Sequence, residues 1–172
     1  MSDGNKPNRK AKEIPRLRMK PRASDPGTIR AILESAKNFY PSEIDIAIEL
    51  FEDYSQNGKD SPYQFIFAQT GGETAGFVCY GPIPLTDKRY DIYWIAVRKD
   101  LQNRHIGAAL LGKAEEKIAS RRGAFLYIET SSRPDYRDTH IFYERRGYSC
   151  AARLLDFYRD GDDKMIFAKK LR

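Results

Sequence analysis

A polar turn between an apolar run and an amphipathic segment carries the residues best suited to binding an anion. Residues 102–107 follow the apolar residues 95–97 and precede a run of helix-forming residues. The first amides of a helix have no intrahelical acceptor and point into such a turn, where they can bind a phosphate. Arg104 adds a positive charge, and Gly107 has no side chain to block a ligand. The turn therefore predicts an anion site, with an ordinary strand-to-helix turn and a solvated Arg104 as the alternative.

The helix after this turn is amphipathic, and the segments around it show strand and helix patterns. Ile106, Leu110, Ala114 and Ile118 recur every four residues, which predicts one buried helix face, and Gly123 suits the helix stop. In chain order, the remaining pattern predicts a strand at 17–21, helices at 25–40 and 41–56, strands at 63–69 and 74–81, a loop at 81–89, strands at 90–97 and 124–131, a helix at 137–147, and strands at 149–158 and 163–171. The pattern shows no internal repeat and no second domain.

The net charge of +6 belongs to the N-terminal end of the chain. Residues 1–22 hold eight Lys or Arg and two acidic residues, so the remaining chain has equal numbers of both signs. We expect a basic, disordered tail at residues 1–15 and one globular domain at residues 16–172. Binding of RNA through the tail is the less favoured interpretation, because no aromatic residue interleaves with its charges.

Composition also limits the setting in which the protein is expected to work. No apolar run approaches the length of a membrane span, and the first residues lack an apolar stretch, so we expect no secretory signal. Cys79 and Cys150 are the only cysteines, and no Cys or His cluster suggests a metal site. We expect a cytoplasmic protein without a metal, with Cys79 buried on its strand and Cys150 lacking a neighbouring base.

Two motifs together resemble one family, the GNAT acetyltransferases. Residues 102–107 followed by AALL match the family's Q/R-x-x-G-x-G/A turn, and IFYERRGY at 141–148 matches its F-Y-x-x-x-G-F/Y segment. The order of elements over residues 16–171 is also similar. The resemblance implies an α/β (α+β) fold with a mixed, largely antiparallel sheet flanked by helices. It further implies acetyl-CoA bound with its pyrophosphate on the turn and its thioester beside a splayed strand. The implied acetyl-CoA residues are Ile95, Ala96, Val97, Gln102, Asn103, Arg104, His105, Ile106, Gly107 and Ala108.

His105 departs from the family pattern, which has a glycine at that position. Its side chain could crowd the pyrophosphate or donate a hydrogen bond to it. We expect instead a solvent-facing imidazole at a negative φ, with only the backbone amide used by the ligand.

The family's reaction needs a group that protonates the departing thiolate and a base that accepts a proton from the amine. Tyr143 matches the position of the acid, with a core aromatic as the alternative. Asp91 and Glu129, on neighbouring strands, are the candidate bases, and a solvated charge is the alternative for Asp91. Strand alternation from Asp91 predicts that Tyr93, Ile95 and Val97 share its face.

The resemblance predicts direct transfer of an acetyl group to a primary amine. The acceptor is a small molecule or a peptide or protein amine, with no membrane involved, nucleic acid disfavoured and a homodimer possible. Asp156, Asp160, Asp162 and Asp163 in the last hairpin could steer a cationic amine, or could simply form a polar turn. The alternatives from other classes are an acyl-CoA-binding regulatory module without turnover and a nucleic-acid-associated protein that uses the tail.

Overall fold

The computed structural model describes residues 14–171, so nearly all of the predicted tail lies outside the described residues. Eleven helices and strands follow one another in this region. They are β1 (Arg16–Arg18), α1 (Asp25–Ala36), α2 (Pro41–Asn57), β2 (Gln64–Thr70), β3 (Glu73–Pro82), β4 (Arg89–Val97), α3 (Ile106–Ser120), β5 (Phe125–Ser131), α4 (Arg137–Arg145), β6 (Ser149–Arg159) and β7 (Asp162–Lys170). Three single 3-10 turns, at Gly58–Asp60, Lys99–Leu101 and Pro134–Tyr136, were not predicted.

The seven strands form one mixed sheet in the order β1-β2-β3-β4-β5-β7-β6. The pair β4–β5 is parallel, and the other pairs are antiparallel. This confirms the predicted α/β fold with a mixed, largely antiparallel sheet flanked by helices. The β4–β5 pairing runs from Arg89↔Phe125 to Ile92↔Ile128 and ends there, although both strands continue.

Two apolar clusters cover the two faces of the sheet. The helix face predicted from the four-residue spacing, Ile106 to Ile118, is buried in the cluster that also contains Ile92, Ile128 and Tyr143. The second cluster joins α1 and α2 to the other face through residues such as Ile29, Phe51 and Phe65. Burial of these side chains is the main source of stability for both layers.

The predicted side-chain alternation along β4 is wrong. The register against β3 shifts between Cys79↔Trp94 and Tyr80↔Ile92, so β4 holds one extra residue, Tyr93. Ile95 and Val97 consequently pack with Ile92 on the α3 side, while Tyr93 and Trp94 pack on the α1–α2 side. A β-bulge of this kind inverts the facing of every residue beyond it.

Two helix ends also differ from the sequence pattern. The first helix ends at Ala36, not at residue 40, because Lys37 adopts a left-handed φ of 63°. At the predicted stop of α3, Arg122 takes the positive φ of 61°. Gly123 serves another purpose, since a Cβ there would lie 2.2 Å from the Ile118 side chain. By contrast, Gly147 has a φ of 84° just after α4, as expected for the helix stop.

Candidate functional site

A cavity of about 680 Å³ opens where β4 and β5 stop pairing. Its lining comes from β4, β5, the start of α3, α4 and the α1–α2 connection. The predicted site residues in this lining are Ile95, Ala96, Val97, Gln102, Asn103, His105, Ile106, Gly107, Ala108, Glu129 and Tyr143. Arg104 and Asp91, also predicted, are not among the lining residues. The structure therefore brings most of the predicted residues to one cavity.

The cavity reaches both faces of the sheet. Tyr143 belongs to the cluster on the α3 side, together with Ile128. Glu129 follows Ile128 along β5, so its side chain points to the opposite face. The gap between the diverging strands thus connects the α3–α4 side of the sheet with the α1–α2 side.

The turn before α3 presents backbone amides to this cavity. The first intrahelical bond runs from the Ala109 amide to the His105 carbonyl at 3.0 Å, so the amides of Ile106, Gly107 and Ala108 precede the ladder. The Gln102 side chain donates to the Val97 carbonyl at 3.3 Å and ties the turn to β4. Three successive amides without an intrahelical acceptor at a helix start can bind an anionic group.

His105 occupies the N-cap of α3 with a φ of 64°, so the expected negative φ is wrong. A side chain in this left-handed region costs roughly 1–2 kcal/mol, which explains why glycine suits the position. The imidazole is exposed, in line with the expectation that it faces solvent. Asn103, two residues earlier, also has a positive φ of 62°.

The arginines that line the cavity differ from the predicted one, Arg104. Arg104 is exposed on the turn, whereas Arg145 and Arg146 at the end of α4 line the cavity. The Arg146 guanidinium lies 5.9 Å from the centre of the Phe142 ring, which also lines the cavity. Helical spacing contained this signal, because residue 146 lies three positions after Tyr143 and four after Phe142.

Tyr143 is both a core residue and part of the cavity lining. It is 3% exposed, and its ring centre lies 5.6 Å from that of Phe167 and 6.0 Å from that of Tyr148. Burial, with a smaller contribution from Tyr136, raises the pKa of the Tyr143 phenol well above its usual range. The phenol therefore keeps its proton at neutral pH and can act only as a hydrogen-bond or proton donor to an anion.

Asp91 and Glu129 lie near each other on the α1–α2 side of the sheet. Burial and, to a smaller extent, the Glu129 charge raise the pKa of Asp91 from 3.8 to about 6, while Lys164 acts in the opposite direction. Glu129 is partly exposed and pairs with Lys164 at 2.7 Å. A carboxyl with a pKa about 6 can accept a proton near neutral pH, so this pair can perform base chemistry beside the cavity.

The last hairpin uses its acidic residues for its own structure. Asp163 accepts hydrogen bonds from Arg153 Nε and the Asp156 amide, and Asp162 accepts one from the Ser131 hydroxyl. Asp156 in turn accepts from the Gly161 amide at 2.7 Å. These contacts favour the turn interpretation for these three residues over the steering of a cationic ligand.

Some other features of the described region bear on function. None of the helices described in residues 14–171 is long and apolar enough to cross a membrane. The same residues contain no group of three or more His, Cys, Asp or Glu side chains placed to hold a metal ion. Cys79 is buried, which raises the pKa of its thiol, and Cys150 is exposed; both are free thiols.

Comparisons with known proteins identify the fold as that of a GNAT-like α/β protein. The profile of the Acetyltransferase (GNAT) family matches residues 29–148. A GNAT-family protein from Desulfovibrio desulfuricans is 38% identical, with a TM-score of 0.89 over 92% of this chain and 100% of its own. The chain therefore belongs to the GNAT acetyltransferase family, as the sequence resemblance implied.

Two more distant solved structures share the fold. The ribosomal-protein-S18-alanine N-acetyltransferase from Escherichia coli is 21% identical, with a TM-score of 0.72 over 92% of this chain and 94% of its own. An aminoglycoside 6'-N-acetyltransferase complexed with coenzyme A is 17% identical, with a TM-score of 0.71 over 91% of this chain and 97% of its own. A search of curated proteins by sequence gave no match.

Proposed function

We propose that this protein is an N-acetyltransferase that moves the acetyl group of acetyl-CoA directly to a primary amine in the cytoplasm. The observation that carries the proposal is the single cavity described above. It joins the α3 amides, the phenol of Tyr143 and the carboxylate of Glu129, and it passes between two strands that no longer pair. Direct transfer needs a place for the acyl donor and the amine to meet, and this cavity supplies it.

The residues present fit coenzyme A. The amides of Ile106, Gly107 and Ala108 suit the pyrophosphate, and Arg145 and Arg146 supply positive charge in the same lining. Beyond Ile92, the β4 edge that faces β5 no longer contributes to the β4–β5 ladder. Backbone groups on such an edge can pair with the amides of an extended ligand, as a strand would.

When bound, acetyl-CoA supplies a thioester whose carbonyl carbon is attacked by the amine nitrogen. A carbon–nitrogen bond forms, the carbon–sulfur bond breaks, and sulfur leaves as a thiolate. Tyr143, whose phenol is protonated at neutral pH, is proposed to direct its O–H toward that sulfur as the donor. This role is compatible with the core packing, because the ring makes the packing contacts and the hydroxyl makes the proposed one.

The amine must lose a proton, and we assign this step to the carboxylate pair. A primary amine with a pKa of about 10.4 is almost fully protonated at pH 7. Glu129 lies in the cavity lining, and Asp91 has the pKa better suited to accepting a proton. In the proposal, Glu129 contacts the ammonium and a water passes its proton to Asp91.

Calorimetry with acetyl-CoA, followed by assay of thiol release with a set of amines, tests the proposal. The set includes an aminoglycoside and an alanine-initiated peptide, because structures sharing the fold are named for such acceptors, together with spermidine, tyramine and lysine. We expect acetyl-CoA binding and amine-dependent thiol release. Binding without turnover of any amine would indicate the non-catalytic regulatory module, and absence of binding would refute the assignment.

A further inference from the structure

The ammonium group of Lys164 lies on a carboxylate of the candidate site. Lys164 is on β7, in register with Ser131 of β5, and its Nζ lies 2.7 Å from Oε2 of Glu129. The Lys164 side chain is 14% exposed, whereas the Glu129 side chain is 48% exposed and lines the cavity. The fold therefore places a primary ammonium of its own on a carboxylate that is open to the cavity.

Two aromatic rings of β6 lie beside the same ammonium. Lys164 Nζ is 3.9 Å from the centre of the Phe157 ring and 5.9 Å from that of the Tyr158 ring. The two rings meet edge to face, and they lie where the β6–β7 register shifts, between Leu154 and Arg159. A carboxylate together with aromatic rings is a combination of groups that binds a primary ammonium. Lys164 thus occupies an ammonium site of the same chemistry that an acceptor amine needs.

Three charged side chains lie close together at this end of the cavity. Burial is the main cause of the raised pKa of Asp91, the Glu129 charge adds to it, and the Lys164 charge opposes it. With both carboxylates ionised and Lys164 protonated, the group carries a net charge of about −1. Without Lys164 the net charge would be about −2, and the group would attract a cationic amine more strongly.

The acceptor and Lys164 compete for one carboxylate. In the proposed function Glu129 contacts the ammonium of the incoming amine, and Lys164 already makes a contact of that kind. The ion pair must be broken, or its carboxylate shared, before a second ammonium binds there. An ion pair that only orients Glu129 would act in the opposite direction, because removing Lys164 would then weaken acceptor binding. The sign of the effect therefore separates the two roles.

We propose that Lys164 is an internal competitor of the acceptor, and that its ammonium must leave the Glu129 carboxylate when the acceptor's ammonium binds. The inference rests on the proposed function and deepens it. Lys164 raises the amine concentration that turnover requires, and it acts on amines that bind as cations.

The test compares four changes with the wild type: Lys164→Met, Lys164→Arg, Glu129→Gln, and Lys164→Met combined with Glu129→Gln. Lys164→Met keeps the length of the side chain and removes its charge, and Lys164→Gln is a second neutral variant. Lys169→Met is the matched control, because Lys169 is also on β7, pairs with Glu115 at 2.9 Å and lies 5.3 Å from a tyrosine ring. Neither Lys169 nor Glu115 lines the cavity.

Each variant is measured for amine KM and kcat, for Tm and, by calorimetry, for the Kd of acetyl-CoA. Calorimetry with coenzyme A in place of acetyl-CoA gives the Kd of the amine without turnover. The amine is whichever of spermidine, tyramine, lysine, an aminoglycoside and an alanine-initiated peptide the wild type acetylates fastest. If the wild type acetylates none of them, all five are assayed with every variant.

We expect Lys164→Met and Lys164→Gln to lower the KM and Kd of the amine by about threefold to tenfold, the size expected when a carboxylate is released from a partly exposed ion pair. Lys164→Arg keeps the competing charge, so both values should stay within about twofold of the wild type, as they should in Lys169→Met. Acetyl-CoA Kd should not change, because Lys164 does not line the cavity. In the Glu129→Gln background, Lys164→Met should bring no gain, because the contested carboxylate is absent.

Several results would overturn the inference and leave the proposed function standing. Unchanged amine KM and Kd in the neutral variants of Lys164 would show no competition, and raised values would show that Lys164 orients Glu129. An equal gain in Lys164→Arg, in Lys169→Met or in the Glu129→Gln background would mean that the effect does not come from freeing Glu129.

Two further results bear on both proposals. Turnover of an amine by Lys164→Met, but not by the wild type, would support both of them. Acetyl-CoA binding without turnover of any amine, in the wild type and in Lys164→Met alike, would remove both.

Discussion

Replacing Asp91 with Asn should stabilise the protein at neutral pH, because the carboxylate is ionised in a partly buried place. Asp91 lies on β4 in register with Tyr127 of β5, and burial followed by the Glu129 charge raises its pKa from 3.8 to about 6. The folded state therefore holds this proton more tightly than the unfolded chain. The resulting stability is fully present below about pH 4 and is lost as the pH rises through about 6.

The size of the effect follows from the same values. A rise in pKa from 3.8 to about 6 corresponds to at most about 3 kcal/mol. Asp91 is only half-buried, so solvent screening reduces the usable effect to about 1 kcal/mol. Asp91→Asn keeps the shape and removes the titration. Its free energy of unfolding should exceed that of the wild type by about 1 kcal/mol above about pH 7 and should match it near pH 4.

Urea denaturation from about pH 4 to about pH 8 measures this difference directly. Asp87→Asn is the control, because the Asp87 side chain is 82% exposed and its removal should give no such trend. Glu129→Gln should move the titration only in part, because burial is the larger cause. Asp91→Asn less stable than the wild type at about pH 8 would show that the ionised carboxylate makes favourable contacts, and the reasoning would fail.

Five further variants test the site and the elements that support it. Tyr143→Phe should lower kcat by about 10²-fold with acetyl-CoA affinity and Tm close to the wild type, whereas a lowered Tm would favour a purely structural ring. His105→Gly should raise the free energy of unfolding by up to about 1 kcal/mol, measured by urea denaturation, and leave acetyl-CoA affinity within about threefold. Arg146→Ala should weaken acetyl-CoA binding in calorimetry more than Arg104→Ala does, because only Arg146 lines the cavity; equal losses would contradict that. Gly76→Ala should lower Tm by about 3–10 °C, since its Cβ would lie 2.6 Å from the Ala96 carbonyl oxygen, and an unchanged Tm would mean that β4 moves freely.

Hydrophobic period and turn residues were sufficient to predict the order of helices and strands, because each element buries one face. The face from Ile106 to Ile118 is buried as its spacing predicts, and the positive φ of Gly71 and Gly72 agrees with the predicted hairpin turn. The facing of residues along β4 could not be predicted. Residues 92–97 are all apolar or aromatic, so no polar residue marks the extra one at Tyr93.

Among the residues that line the cavity, those in local sequence motifs were predicted, and those placed by tertiary contacts were not. The turn was predicted from its own residues, and Tyr143 from its match to the family's F-Y-x-x-x-G-F/Y segment. The α1–α2 connection was not predicted to line the cavity, since Asn38 is held by Arg133 and Tyr136, nearly a hundred residues away, and its place depends on how two loops meet. Local pattern contains no information about such tertiary contacts.

His105 adopts the backbone conformation that this turn requires, although the family motif has a glycine at its position. His105 has a left-handed φ of 64° at the N-cap, and the next three amides precede the first intrahelical bond, as at every helix start. Histidine meets this requirement at a cost of roughly 1–2 kcal/mol, where glycine would meet it without strain. The strain lowers the stability of the turn, and His105 itself is exposed. A glycine at this position is therefore explained by backbone conformation, and its replacement by His105 is compatible with the anion site proposed at this turn.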